Sequence, residues 1–147
     1  GPVRLVLWVG STAPDTDFTA KLIDVHPDGR SVNVTYGIIR CNYRDGYANS
    51  APPLCPDEVY ELTIALNPTA MLFQKGHRIR LDVSSSDFPN FDRNHNTGAE
   101  FWADAELRSA RQIVHHDAAR PSRLILPVIP REVTPLDRRG MQHLTSG

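Results

Sequence analysis

Apolar and polar residues alternate with a period of two along most of this chain, the mark of strands that turn one face inward. Val3, Leu5, Leu7 and Val9 oppose Arg4, Val6 and Trp8 in a first strand. Across Asp17 to Val25, Phe18, Ala20 and Leu22 oppose Thr19, Lys21 and Ile23. Pro27-Asp28-Gly29-Arg30 follows, and Asp28-Gly29 supplies the positive φ of a tight hairpin, so Ser31 to Tyr36 is expected to return alongside. Gly37 is expected to break that strand, with Ile38 to Arg44 forming another. Asp57 to Asn67 sets Tyr60, Leu62, Ile64 and Leu66 against Val59, Glu61, Thr63 and Ala65, and one helical turn is expected over Ala70 to Gln74. His77, Ile79, Leu81 and Val83 then oppose Arg78, Arg80, Asp82 and Ser84, a strand with one buried face.

After Ser84 the period is lost. Ser85 to Gly98 carries serines, a proline and several Asn and Asp residues, which predicts a long structured loop. Phe88 and Phe91 sit inside it, and rings in a polar loop dock either on the domain's own core or on a partner. Beyond it, the pattern gives a short turn near Ala99 to Asp104 and strands over Glu106 to His116 and Ser122 to Val128. Residues 131–147, with Pro135 and little apolar content, read as a tail outside a domain spanning residues 1–130. Eight or nine short strands without a long helix make an all-β antiparallel sandwich, with jelly-roll (galactose-binding-like) topology as the leading arrangement.

With 147 residues there is room for one domain with a real core. A net charge of -1 gives no electrostatic case for nucleic acid or an anionic membrane as partner. No apolar run approaches the roughly 20 residues that span a bilayer. The opening Gly1-Pro2-Val3-Arg4 lacks the pattern of a signal peptide and starts almost directly in a strand, as though cut from something larger. The compartment stays open, leaning to the cytoplasm. The phase of Cys41 with Ile39 and Tyr43 favours a buried free thiol, with a bridge to Cys55 as the alternative.

Candidate chemistry is sparse. Ser84 to Ser86 follow His77 on the same strand, but the serines stand about 20 Å from it at roughly 3.3 Å per residue. His115 and His116 are adjacent on a strand and point to opposite faces, one expected buried and one exposed. Asp92, Asn94 and Asn96 imitate the opening of a calcium loop, yet Gly98 comes a place late and Ala103 stands where a glutamate belongs. Turn capping is the better account of those residues. Trp8, Tyr60 and Trp102 are too scattered for a sugar platform. Asp17 and Asp24 face opposite ways, so no acid/base pair follows. No catalytic residue, metal or cofactor is indicated.

The order of motifs carries more than any single one. Asp15-Thr16-Asp17-Phe18-Thr19, Asp24-Val25-His26-Pro27-Asp28-Gly29-Arg30 and Gly37-Ile38-Ile39-Arg40 form a first half. Gly76-His77-Arg78-Ile79-Arg80, Ser84-Ser85-Ser86-Asp87-Phe88-Pro89, Arg93-Asn94, Asn96-Thr97-Gly98, Pro121-Ser122 and Leu126-Pro127-Val128 form a second. This series resembles the C-terminal domain of the X-Pro dipeptidyl-peptidase and cocaine esterase (CocE/NonD-type) α/β-hydrolases. The resemblance implies a jelly roll that packs on an N-terminal α/β-hydrolase domain, helps close its substrate cleft and carries none of the Ser-Asp-His triad. Such parents hydrolyse acyl esters, amino-acid amides or the bond after an X-Pro dipeptide, and any oligomer would form through the parent. The resemblance makes Phe88, Phe91, Asp92, Arg93 and Asn94 the candidate contacts with the catalytic domain or its cleft. Asp17, Asp28 and Gly29 become turn-stabilising residues, and Asp15 shares that first-loop role. The alternative from another class is a free-standing sandwich that binds a carbohydrate or other ligand.

Overall fold

A computed structural model describes residues 1–100, 103 and 105–129. The tail expected at 131–147, Trp102 and part of the turn expected near 99–104 lie outside the described residues. The described residues form seven strands: β1 (Val3–Ser11), β2 (Asp17–Val25), β3 (Ser31–Arg40), β4 (Tyr60–Leu66), β5 (Arg78–Ser84), β6 (Gln112–His115) and β7 (Arg123–Ile125). One sheet runs β4-β1-β6, with β7 also on β1, and the other runs β3-β2-β5. Every pairing is antiparallel, and the β-sandwich that the alternation implies is formed.

The inner faces follow the sequence period. Val3, Leu5, Leu7 and Val9 of β1 and Leu62, Ile64 and Leu66 of β4 meet Phe18, Ala20 and Leu22 of β2, all buried. Burying each large side chain contributes about 1.5–3 kcal/mol, which is why these positions and not their polar neighbours fix the register. The hairpin between β2 and β3 closes as the Asp-Gly pair requires. Gly29 has φ +89°, and the Asp28 carboxylate accepts from the Arg30 backbone N–H at 2.9 Å.

Several elements differ from the expectation. Gly37 does not interrupt β3, which runs unbroken from Ser31 to Arg40. Its missing side chain serves packing instead: a Cβ there would lie 2.4 Å from the Ala65 carbonyl oxygen of β4. The chain then makes a 3-10 turn over Cys41–Tyr43 rather than a strand to Arg44. Residues 70–74 form no helical turn. The two late strands are only four and three residues long. His115 is half-buried and His116 exposed, so neither enters the core. Cys41 and Cys55 are both free thiols, the first buried and the second exposed.

The largest departure is β5. Its apolar residues share the core-facing side of β2, through the pairs Ala20–Val83, Leu22–Leu81 and Asp24–Ile79. Yet Ile79 is 52% exposed and Val83 37%, and only Leu81 packs against the core. A strand at the rim of a three-stranded sheet lies beyond the shelter of the opposite one. Alternation reports which side is apolar, not whether anything covers it.

Candidate functional site

β2 is buried on both faces, and the second cover is the loop after β5. Asp17, Thr19 and Lys21 point outward from the sandwich, beside Arg40, Ile38 and Tyr36, their partners on β3. Residues 85–98 cross this outer face. At one end the Lys21 ammonium meets the Asp87 carboxylate at 2.5 Å. In the middle the Phe91 ring packs edge-on to Tyr36, with centroids 5.9 Å apart. At the other end the Asn94 amide donates to Asp15 Oδ2 at 2.7 Å and to Asp17 Oδ1 at 2.8 Å. Asn94 Oδ1 accepts from the Asn96 backbone N–H, so both ends of the amide are committed and its orientation is fixed. Asn96, at φ +62°, sends its own amide to the Arg108 carbonyl. These Asn side chains act in turn capping and loop anchoring, as the sequence pattern favoured over a calcium loop.

Around Asn94 lies a small polar cluster. Arg40 grips Asp17 with two hydrogen bonds, at 2.9 and 3.0 Å, the bidentate geometry that suits a guanidinium. The Asp15 carboxylate also accepts from the backbone N–H of Asn42 at 2.9 Å. Both carboxylates are buried, at 3% and 1% exposure. Burial pushes the Asp15 carboxyl above its usual range, with Asn94 and Asn42 pulling it back through their hydrogen bonds. The bond to Asp17 holds Arg40 more firmly protonated than usual. With their oxygens held by an amide, a backbone N–H and a guanidinium, these carboxylates brace the loop. They are not arranged as an acid/base pair.

Two shallow cavities open at this cluster. One, of about 270 Å³, is lined by Asp15, Arg40, Asn42, Arg93 and Asn94 among others. The second, of about 210 Å³, lies between Phe91, Asp92, Tyr43, Tyr47 and Ile38. Exposed rings line them, Tyr47 at 88% exposure and Tyr43 at 40%, and Phe88, 59% exposed, stands on the same loop as Phe91. The Arg93 guanidinium lies over the Phe88 ring, 4.5 Å from its centroid. The two loop phenylalanines thus divide. Phe91 completes this domain's own outer layer, while Phe88 is presented outward under an arginine. Asp92 and Arg93 are exposed and Asn94 is half-buried.

Of the residues named from sequence, Phe88, Phe91, Asp92, Arg93 and Asn94 come together on this one surface, with Asp17 beneath them. Asp28 and Gly29 stand apart, in the β2–β3 hairpin. Arg40, Tyr43 and Tyr47 were missed. The first is a charge on a strand whose partner lies 23 residues away, which no local spacing reveals. The serines are occupied structurally: Ser84 Oγ accepts from the Ser86 N–H, and Ser122 Oγ accepts from the Trp8 N–H while donating to the His115 carbonyl.

Comparison with known proteins identifies the family of the domain. Residues 1–125 match the X-Pro dipeptidyl-peptidase C-terminal non-catalytic domain. The chain is 44% identical over 134 residues to a cocaine esterase of Rhodococcus sp. (strain MB1 Bresler), covering 89% of this chain and 23% of that one. Among solved structures it is similar to an aminopeptidase from a marine sediment Thaumarchaeota archaeon, at TM-score 0.79 and 32% identity, over 84% of this chain and 22% of that one. An α-amino acid ester hydrolase gives TM-score 0.79 at 29% identity, again over 84% and 22%. The chain spans less than a quarter of the length of these relatives. It belongs to the family of X-Pro dipeptidyl-peptidase C-terminal non-catalytic domains found in CocE/NonD-type hydrolases.

Proposed function

We propose that this β-sandwich docks onto the N-terminal α/β-hydrolase domain of a CocE/NonD-type parent through the surface built by residues 85–98 and the Tyr43–Tyr47 rings. In that position it helps shape the cleft in which the parent cleaves an acyl ester or an amide after an X-Pro dipeptide. The chain supplies walls and packing; the nucleophile belongs to the neighbouring domain. The reading rests on one observation above others. Phe88, with Arg93 over its ring, is exposed on the 85–98 loop, and Tyr43 and Tyr47 are exposed on the segment after β3; the buried Asp15–Asn94–Asp17–Arg40 cluster ties the loop to that segment, through Asn94 on one side and the Asn42 N–H on the other. Aromatic and arginine anchors on a preorganised support are what interface centres are made of.

The test mixes the separately produced catalytic domain of the parent with this chain and follows association by light scattering and ester hydrolysis with a chromogenic acyl ester. Association that is weakened about 10-fold or more by Phe88→Ser, a substitution at an exposed ring, supports docking through this face. Undiminished association of Phe88→Ser and Tyr47→Ser variants places the contact elsewhere on the domain.

A further inference from the structure

A second cluster lies at the opposite end of β2, and it is independent of the docking surface. Asp24 shares the side of β2 that carries Phe18, Ala20 and Leu22, so the strand places a carboxylate in phase with the core. It is 1% exposed. His26 is two residues further on and therefore on the same face. The register pairs Val25 with Arg78 and Asp24 with Ile79, which brings His77, two before Ile79, to that face as well. His77 Nδ1 lies 2.9 Å from both Asp24 carboxylate oxygens, and His26 Nε2 lies 3.7 Å from Oδ2. One ligand atom from each of the three residues falls within 4.8 Å of the others, and the two imidazoles are in contact, with centroids 4.3 Å apart.

We propose that Asp24, His26 and His77 form a binding site for a divalent late first-row cation of the Zn²⁺ type, which clips the β2–β3 hairpin to the start of β5. A tetrahedral zinc ion with arms of about 2.0–2.1 Å holds its ligand atoms roughly 3.3 Å apart, and the spacings here, 2.9 and 3.7 Å, straddle that value. Two imidazoles and one carboxylate suit zinc, nickel or copper rather than calcium or magnesium. Three protein ligands leave the fourth position to solvent, which reaches the cluster over His26, whose side chain is 22% exposed. A buried carboxylate is stabilised by a paired charge or a bound metal, and among the described residues the side chains bonded to this one are imidazoles.

The protons have to move for the ion to enter. Facing carboxylate oxygens, His77 Nδ1 carries its hydrogen; metal ligation requires that proton on Nε2. Arg30 Nη2 lies 3.0 Å from His26 Nδ1, and a guanidinium can only donate, so the His26 hydrogen is on Nε2, toward Asp24. On binding, that hydrogen shifts to Nδ1 and the exposed Arg30 side chain swings away. Arg30 is therefore a competitor of the metal.

The experiment is calorimetric titration of the 147-residue chain with Zn²⁺, with Co²⁺ as a visible-absorption probe of tetrahedral coordination. A single 1:1 event, a thermal midpoint raised by Zn²⁺ and restored by chelator, and a tetrahedral Co²⁺ band are expected. His26→Asn, a change in an exposed hairpin that leaves the core intact, should weaken binding by more than the roughly 10–100-fold that even outer-shell partners are worth. Arg30→Gln should tighten it severalfold. Absence of a 1:1 event, or one that His26→Asn leaves unchanged because His95, His115, His116 or His143 carries it, overturns the assignment.

Discussion

Replacing Asn94 with alanine tests the cluster that holds the 85–98 loop on its sheet. The side chain spans two buried carboxylates with bonds of 2.7 and 2.8 Å, and its oxygen caps Asn96. Asp17 keeps the Arg40 fork in the variant, and Asp15 keeps, among the described residues, the bond from the Asn42 N–H. A hydrogen bond to a charged group contributes about 1.5–3 kcal/mol, so losing two at the lower figure costs about 3 kcal/mol. For a domain of this size, that corresponds to a fall of roughly 10 °C in Tm. Urea denaturation of wild type and Asn94→Ala gives the energy directly, with Ser86→Ala, at an exposed position of the same loop, as a control expected within about 0.5 kcal/mol of wild type. The loss also carries a pH signature. The Asp15 carboxyl is already raised by burial, and removing the Asn94 bond that lowers it raises it further. A raised carboxyl contributes stability that is present below the ordinary carboxylate range and lost as pH climbs through its folded value. The variant should therefore lose more stability at neutral than at mildly acidic pH. A loss below about 1 kcal/mol, or one that is larger in acid, refutes the reasoning.

Other expectations are simpler. Gly37→Ala forces a Cβ to 2.4 Å from the Ala65 carbonyl, a clash with backbone that should cost at least the roughly 1–3 kcal/mol of an overpacked core; an unchanged Tm would contradict it. Burial pushes the Cys41 thiol up to about 12, so iodoacetamide at mildly alkaline pH should modify only the exposed Cys55 in the folded chain and both thiols after unfolding. Two adducts by intact mass on the native chain would contradict that. Phe88→Ser, at a ring 59% exposed, should leave the stability of the chain itself within about 0.5 kcal/mol of wild type, so that any effect on docking is an effect at the surface.

What the sequence revealed follows from the range over which each feature is determined. β2 runs from Asp17 to Val25 as the alternation predicts, because its ends are marked locally by Pro14 and the Asp28-Gly29 hairpin. The rim position of β5 was invisible, since the exposure of Ile79 depends on how far the opposite sheet extends. Gly37 misled because a glycine in a strand can mark either a break or a close approach by another backbone, and the approaching Ala65 is 28 residues on. The loop aromatics could be seen, but which ring would turn inward could not, because Phe91 is chosen by Tyr36 on a distant strand. Asp24 offered a usable signal, a charge in phase with Phe18, Ala20 and Leu22. A buried charge demands partners, and His26 stood two residues away on the same face. That Asp15, Asp17, Arg40 and Asn94 join in one cluster had no local signal, because they are linked across 23 to 79 residues of chain.

Treatment with a serine-reactive phosphonate addresses the main claim most directly, that the bond-breaking group lies outside this domain. The account predicts no label and no ester hydrolysis by the 147-residue chain, and a single labelled serine in the N-terminal α/β-hydrolase domain of the parent. Stoichiometric labelling of a serine within this chain, accompanied by turnover of a chromogenic ester, would contradict it.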